Sequence, residues 1–372
     1  MNKLKRILAG LSVGIMCLTI TPVSASAATY AQGDINGDGT ISTADTMALS
    51  KFLNGQYGSG NNYTTERLDV DSNGVIDDND LDLAKKILVG NVSGHNVTYT
   101  NSISVPAQSS RKYYTFSVSG TQKGSYTLSP VSAVPSSSPR TVFGTDTRKL
   151  ESGFYGVIKI RRRNESYGFT GFVVDDHTIL TCAHGLYSGG TKGLDLSYYD
   201  FSFYNEEDHI DEYMKLTPIE YHVPAGYVDN LTNTNNYEEE KYDYALITVQ
   251  DNLSQFVNFY LGVPTSSILS KNYNAYITGI PNGSGKEVLG RKATSFDKLL
   301  LMDNYNLQYN IDTSGGQSGS PIYIKNSNNT NTVVGIHTYG NDCDANHTAH
   351  NHGTRITTDI LHFVYNNPNL KY

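Results

Sequence analysis

Seven residues, Gly315-Gly316-Gln317-Ser318-Gly319-Ser320-Pro321, force a sharp bend directly before the strand-like run Ile322-Tyr323-Ile324. Glycine reaches backbone conformations closed to other residues, so the amides around Ser318 can converge on one point beside its hydroxyl. Acyl transfer needs that arrangement: a nucleophile, and donors aimed at the oxyanion formed when it attacks a carbonyl. A serine in a glycine-rich turn is common by itself. Its meaning depends on what lies upstream.

Two upstream residues supply partners. His184 ends Thr178-Ile179-Leu180-Thr181-Cys182-Ala183-His184, after the apolar run Gly171-Phe172-Val173-Val174 and the turn Asp175-Asp176-His177. A histidine at the end of a buried strand can project into a cleft with its ring held by packing. Asp243 interrupts the strand-like Lys241-Tyr242-Asp243-Tyr244-Ala245-Leu246-Ile247, where an acid needs a partner if buried. Taken singly, His184 reads as a satisfied core histidine and Asp243 as a strand-edge charge. In the order His, Asp, Ser they match the chymotrypsin-like plan, in which two β-barrels meet at the site. A Gly-x-Ser-x-Gly hydrolase is excluded, because Ser320 stands where the second glycine is required.

From about Val142 onward the chain resembles the bacterial glutamyl endopeptidases. The residues carrying this are Thr181-Cys182-Ala183-His184, Asp243-Tyr244-Ala245-Leu246, Asp312 to Pro321, Gly335-Ile336-His337 and Asn351-His352-Gly353-Thr354-Arg355-Ile356. The resemblance implies His184 as general base, Asp243 as its orienter and Ser318 as nucleophile. The backbone amides of Gly316 and Ser318 would form the oxyanion hole. It also implies that Thr313 and His337 bind the carboxylate of a glutamate preceding the scissile bond. A hydrogen bond to an ionised carboxylate is worth about 1.5–3 kcal/mol. One residue opposes this: Asp312 lies six positions before Ser318, where trypsin-like enzymes place the acid that binds Arg or Lys. Both specificities stay open on the sequence, with Glu (and Asp as a weaker substrate) preferred.

A second pattern lies near the N-terminus. Asp34-x-Asn36-x-Asp38-Gly39-Thr40-Ile41-x-x-x-Asp45 places oxygen ligands at positions one, three, five and twelve of a calcium loop, with a turn-forming glycine at six. It recurs at Asp69-x-Asp71-x-Asn73-Gly74-Val75-Ile76-x-x-x-Asp80, 35 residues on (69 − 34). Thr40 and Val75 would ligate through their carbonyls, and Ser42 and Asp77 hold the ninth, often water-mediated, position. Each loop runs into an amphipathic helix, with Ala48, Leu49, Phe52 and Leu53 in one and Leu81, Ala84, Ile87 and Leu88 in the other. The entering segments are short and both twelfth residues are aspartate, unlike an ordinary EF-hand. Residues 30–92 thus resemble a dockerin of type I. The resemblance implies two structural calcium ions and a cohesin partner on a scaffoldin. Thr43-Ala44 and Asp78-Asn79, just before position twelve, differ between the halves, so the two faces are not alike.

The expected architecture is therefore multidomain. A small α calcium-binding dockerin of two loop-helix repeats precedes an all-β double β-barrel with a short C-terminal helix. Residues 1–28 read as a signal peptide: Lys3, Lys5 and Arg6, an apolar run from Ile7 to Ile20, then Ala25-Ser26-Ala27. Residues 93–140 read as propeptide or linker. Alternation in Lys112-Tyr113-Tyr114-Thr115-Phe116-Ser117-Val118 suggests strands or a propeptide folding against the catalytic domain, and the proline-rich Ser129 to Arg140 suggests a tether. Cleavage after Arg140 would start the catalytic domain, residues 141–372, at Thr141.

Net charge is −8, with acids concentrated in the calcium loops, so neither nucleic acid nor an anionic membrane is an evident partner. No segment is long and apolar enough to span a membrane comfortably. With 28 Tyr, no Trp and many short Gly- and Asn-punctuated strands, an all-β catalytic domain is favoured. Cys182 and Cys343 remain after signal removal, and a bridge between them is not expected. Asp342, Cys343, Asp344, His347, His350 and His352 fit no standard zinc spacing. The sequence reading is a secreted serine endopeptidase acting on proteins or peptides without a catalytic cofactor, its catalytic domain monomeric. The rival classes are an inactive cohesin-bound binding protein and a calcium-gated protease, the proline-rich segment favouring a tether over direct regulation.

Overall fold

The structure is a computed structural model describing residues 28–57, 63–99, 106, 108–130, 156–165, 167–190, 192–203, 214–231, 238–282, 293–326, 328, 330–340 and 350–370. The expected signal segment (up to residue 27), most of the proline-rich segment with Arg140, and the stretch holding Cys343 lie outside these residues.

The N-terminal module is built from its two loops. Helix α1 (Thr43–Leu53) follows the first; a short turn, α2 (Thr65–Leu68), enters the second, and α3 (Asp78–Leu88) leaves it. The ninth residue of each loop, Ser42 or Asp77, caps its helix. The twelfth residue closes the capping box: Asp45 and Asp80 accept from the amides of Ser42 and Asp77, both at 2.8 Å. Leu49, Phe52 and Leu53 of α1 and Leu81, Ala84 and Ile87 of α3 are buried, which is why the apolar residues recur at helical spacing.

The catalytic part holds two large sheets. The first runs Gln122–Leu128, Arg111–Ser117, Pro218–Pro224, Ala245–Val249, Thr178–Thr181, Gly168–Asp175, Val157–Arg162, Tyr199–Phe203. The second runs Ala293–Asp297, Ala275–Gly279, Pro321–Lys325, Asn331–Tyr339, Asn351–Arg355, Asn306–Tyr309, Leu299–Met302, with Phe259–Leu261 pairing in parallel with Asn331–Val333. This is a β-rich domain with few helices among the described residues: α4 (Ala225–Asn230) in the first half, and α5 (Thr358–Tyr365) after the last strand. All eight residues of Gly168–Asp175 are buried. A strand covered on both faces reads as a continuous apolar run rather than an alternating one.

Residues 111–128 form a hairpin that extends the first sheet, Arg111–Ser117 pairing with Pro218–Pro224. Tyr113 and Phe116 are the buried residues of its inner strand; they stand three apart rather than in simple alternation, and the register shifts between Thr115 and Phe116. Phe363 of α5 stacks on Tyr113 at 4.1 Å between centroids, and Arg111 pairs with Asp359 at 2.5 Å.

The two modules share a core, contrary to the expectation of a tethered domain. One buried cluster joins Leu49, Phe52 and Ile87 of the helices to Val263, Phe172, Ile360 and Phe363. A proline-rich segment limits what that segment can pack, but it does not stop the modules it joins from meeting elsewhere. Gly55 marks the contact: a Cβ there would lie 2.6 Å from the backbone of His362.

Candidate active site

His184, Asp243 and Ser318 come from three loops that the two sheets bring to one cleft. Asp243 is fully buried. Its Oδ2 lies 2.7 Å from Nδ1 of His184, and its Oδ1 accepts from the His184 amide at 2.9 Å. The carboxylate therefore fixes both the position of the backbone and the orientation of the ring. Tyr339 stacks on the other side, 5.2 Å between centroids. Burial disfavours the imidazolium, but the adjacent Asp243 carboxylate, with the Cys182 sulfur, outweighs it and holds His184 well above the ordinary histidine range.

The serine loop is pinned from the first barrel by Thr170. Its amide donates to Ser318 O at 2.8 Å and its hydroxyl to Gly316 O at 2.8 Å, while that hydroxyl accepts from Ile280 N at 3.0 Å. Gly316 and Gly319 have φ of +95° and +87°. A Cβ on Gly316 would lie 2.6 Å from Asn282, and one on Gly319 2.0 Å from Thr170 O, so both positions need glycine. The amides of Gly316 and Ser318 donate to no protein group among the described residues, while those of Gln317, Gly319 and Ser320 are used. The Ser318 hydroxyl donates to Thr338 O at 3.3 Å, and the group beside Nε2 of His184 is Cys182 Sγ at 3.7 Å. The structure thus joins histidine to aspartate, while the serine hydroxyl is bonded to Thr338 O, the residue before the Tyr339 that stacks on His184. Catalytic hydrogen bonds are often loose before substrate binds.

His337, only 3% exposed, lies on the strand after the nucleophile loop, with Tyr309 OH 2.7 Å from Nδ1. The same hydroxyl is 2.7 Å from His352 O, which can only accept. Tyr309 has one proton: given to His352 O it leaves Nδ1 of the neutral His337 ring as the donor, and given to Nδ1 it leaves the ring proton on Nε2. His352 O has a second donor within reach, the Thr338 hydroxyl at 3.4 Å. Burial, and then His184, push His337 down to about 3. Thr313 is half-buried, and Asp312 is exposed.

The two acidic loops differ. Asp69, Asp71 and Asp80 bring carboxylate oxygens within 4.8 Å of one another, and Asp69 Oδ1 is buried without a partner. Burial, and then Asp71, push Asp69 up to about 7, so negative charge is hard to hold there without a cation. This donor set of hard oxygens fits calcium. In the first loop Asp34 pairs with Arg67 at 3.0 Å, and Asp38 Oδ1 accepts from the amide and hydroxyl of Thr40. Asn36 and Asn73 sit at the third and fifth positions of their respective loops, each bonded to an adjacent loop aspartate, Asp38 and Asp71.

Comparison with known proteins agrees with this division. The trypsin-like peptidase domain family matches residues 169–336, and the dockerin type I domain family matches residues 32–89. An extracellular metalloprotease of Bacillus subtilis is 24% identical over 252 residues, covering 65% of this chain and 72% of that protein. A glutamyl endopeptidase of Bacillus licheniformis is 26% identical over 239 residues, 60% of this chain and 67% of that protein. The chain joins a type I dockerin to a trypsin-like serine endopeptidase domain. A solved Glu endopeptidase in complex with MPD aligns at 21% identity with a TM-score of 0.43, over 58% of this chain and 93% of that one.

Four groups of this endopeptidase cleft escape a reading of the sequence: Thr170, Tyr309, Tyr339 and the free thiol of Cys182. Each reads locally as an ordinary strand residue. Cys182 follows the buried strand and was visible as a neighbour of His184, but its contact with Nε2 depends on the turn between them. In the dockerin, no helix among the described residues is long and apolar enough to cross a membrane, and the same holds for the peptidase.

Proposed function

We propose that this protein is an exported endopeptidase that cleaves after glutamate and is held on a cohesin-bearing scaffoldin by its calcium-loaded dockerin. The observation that carries the catalytic reading is the buried Asp243 bonded to His184 beside a glycine-rich turn with two unused amides. Ser318 Oγ turns from Thr338 O and attacks the scissile carbonyl as its proton passes to His184 Nε2. The oxyanion meets the Gly316 and Ser318 amides, a donor type worth about 10²–10³ in rate. Collapse breaks the peptide bond, and the amine leaves with the proton from His184. Water then attacks the acyl-enzyme, giving its proton to the same nitrogen, and Ser318 is released with the new carboxyl group. Asp243 holds the Nδ1–H tautomer throughout.

Glutamate specificity is favoured because buried His337 lies beside the nucleophile loop, its carbonyl accepting from the Gly319 amide at 2.7 Å, and Thr313 is half-buried, whereas Asp312 is exposed. With the Tyr309 proton turned to Nδ1, the neutral His337 ring carries its own proton on Nε2 and can donate to a glutamate carboxylate with no net proton taken up. In the dockerin, Asp34, Asn36, Asp38, Thr40 and Asp45 would hold one calcium ion, and Asp69, Asp71, Asn73, Val75 and Asp80 a second. Bound calcium supplies the positive charge that lets each loop keep its carboxylates ionised.

A peptide library digested by the secreted protein, with Ser318→Ala as control, tests the reading. Cuts after Glu that vanish in the variant support it. Cuts after Arg or Lys would move the pocket to Asp312. Failure of Ser318 to react with a phosphonylating reagent, with no cleavage, would leave a cohesin-bound binding protein.

A further inference from the structure

The two repeats of the dockerin share one sequence pattern but not one environment. Position six is Gly39 in the first loop and Gly74 in the second. A Cβ on Gly39 would meet nothing within 4 Å, whereas one on Gly74 would lie 2.8 Å from the backbone of Ile268. Thr40 is exposed, and its counterpart Val75 is fully buried in a cluster with Ile268, Ala275 and Ile277 of the second barrel.

The second loop is held by backbone and side chain together. Val75–Ile76 pairs antiparallel with Val263–Pro264. Thr265 donates to Gly74 O from both its amide, at 2.8 Å, and its hydroxyl, at 3.1 Å. Asp77 Oδ2 accepts from Thr332 at 2.6 Å, and Asn328 donates to Asn79 at 2.7 Å. Asn79 is one of the two residues of this repeat placed just before position twelve. In the first repeat the matching residues, Thr43 and Ala44, are both exposed, and Met47 one turn on is 54% exposed. In the second Asp78 is exposed as well, and it is half-buried Asn79 that the peptidase holds.

We infer that the second repeat is the peptidase domain's own docking element, and that a cohesin engages this protein through the first repeat alone, at Thr43, Ala44 and Met47. The inference rests on the cohesin reading above. The duplicated module has two related faces, and the chain itself shows how one is used: it is seated on the rim of a β-barrel. The other presents the same loop-to-helix backbone, neutral and uncovered, to a separate partner. Orientation of the enzyme on its scaffold follows, because a single face allows a single pose.

The test is surface plasmon resonance of the calcium-loaded full-length protein over a panel of immobilised type I cohesins. Thr43→Arg/Ala44→Arg should weaken binding at least 100-fold and leave peptide hydrolysis unchanged. Asp78→Arg should change binding less than threefold. Equal losses from both variants, or losses seen only when all three changes are combined, would show two usable faces and overturn the inference. A wild-type protein that binds no cohesin would overturn the cohesin reading, and the inference with it. The internal clamp is read without any cohesin by hydrogen exchange of segment 263–266. Asn326 also donates to Asp77 Oδ2, at 3.3 Å; Thr332→Val/Asn326→Ala should speed exchange in that segment, and an unchanged rate would show that the second repeat is not clamped.

Discussion

The Tyr309 hydroxyl makes a sharp prediction about pH. A glutamate carboxylate needs a proton between itself and His337 Nε2, and three routes supply it. With His337 at about 3, charging its ring at pH 7 costs about 5 kcal/mol, at roughly 1.4 kcal/mol per unit. Protonating the glutamate side chain instead, from about 4.3, costs about 4 kcal/mol. Turning the Tyr309 hydroxyl from His352 O to Nδ1 moves the ring proton to Nε2, costs one neutral hydrogen bond, about 0.5–1.5 kcal/mol, and takes up no proton. The third route wins. The assay is the ratio of kcat/KM for paired peptides with Glu or Gln before the scissile bond, in which the pH dependence of His184 cancels. Its logarithm should stay level between about pH 5 and 8. Tyr309→Phe removes the hydroxyl that fixes the tautomer, so the ratio should fall by that one hydrogen bond, roughly 2- to 12-fold. The variant also leaves His337 Nδ1 and His352 O without that partner, at about 1–3 kcal/mol each, so it must be assayed well below its melting temperature. A wild-type ratio that falls about tenfold per pH unit would refute the tautomer argument, because it would show a proton taken up with Glu.

Asp243→Asn should keep the hydrogen-bonding shape but favour the wrong tautomer, lowering kcat by about 10⁴ in steady-state assays with KM little changed. Because His184 sits above the ordinary histidine range and must be neutral to act as base, activity should be lost as pH falls through that raised value. The acidic limb of kcat/KM should therefore lie on the alkaline side of about 6.5. Chelation of calcium should lower the melting temperature of the peptidase domain as well as that of the dockerin, since Val75 is packed in the second barrel; calorimetry showing an unaffected peptidase transition would contradict the shared core. Glu220 is held down at about 2 mainly by His222, whose Nε2 lies 3.5 Å from its carboxylate, with burial opposing and Lys123, bonded at 3.0 Å, assisting. Its folded value lies below the unfolded one, so it contributes stability above about pH 4.5 that is lost as pH falls towards 2. Glu220→Gln should remove that segment of the acid-denaturation curve.

Much of the organisation was legible because the chemistry is local. A glycine-rich turn around Ser318 and a twelve-residue acidic loop each need particular residues at particular spacings, whatever surrounds them. The apolar period of α1 and α3 likewise follows from local geometry, whereas the burial of Tyr113 and Phe116, three residues apart, depends on a register shift the sequence does not announce. The meeting of His184 with Asp243 was anticipated from chain order and resemblance, whereas Tyr309 beside His337 was not. A tyrosine in Asn306–Tyr309 carries no sign in the sequence of the ring it will face.

The sequence by itself determined that the chain has a duplicated acidic module and a β-rich domain with histidine, aspartate and serine in that order. Tertiary structure decided how the two modules stand to each other. The hairpin of residues 111–128 became part of the first sheet, and the turn of the second calcium loop, at Gly74 and Val75, was buried while that of the first stayed open. Two repeats of one pattern do differ in their own residues, Val75 standing where Thr40 stands, but those residues do not say what will pack against them. Ile268, Thr265 and Thr332, some 190 to 255 residues away in the chain, make that difference.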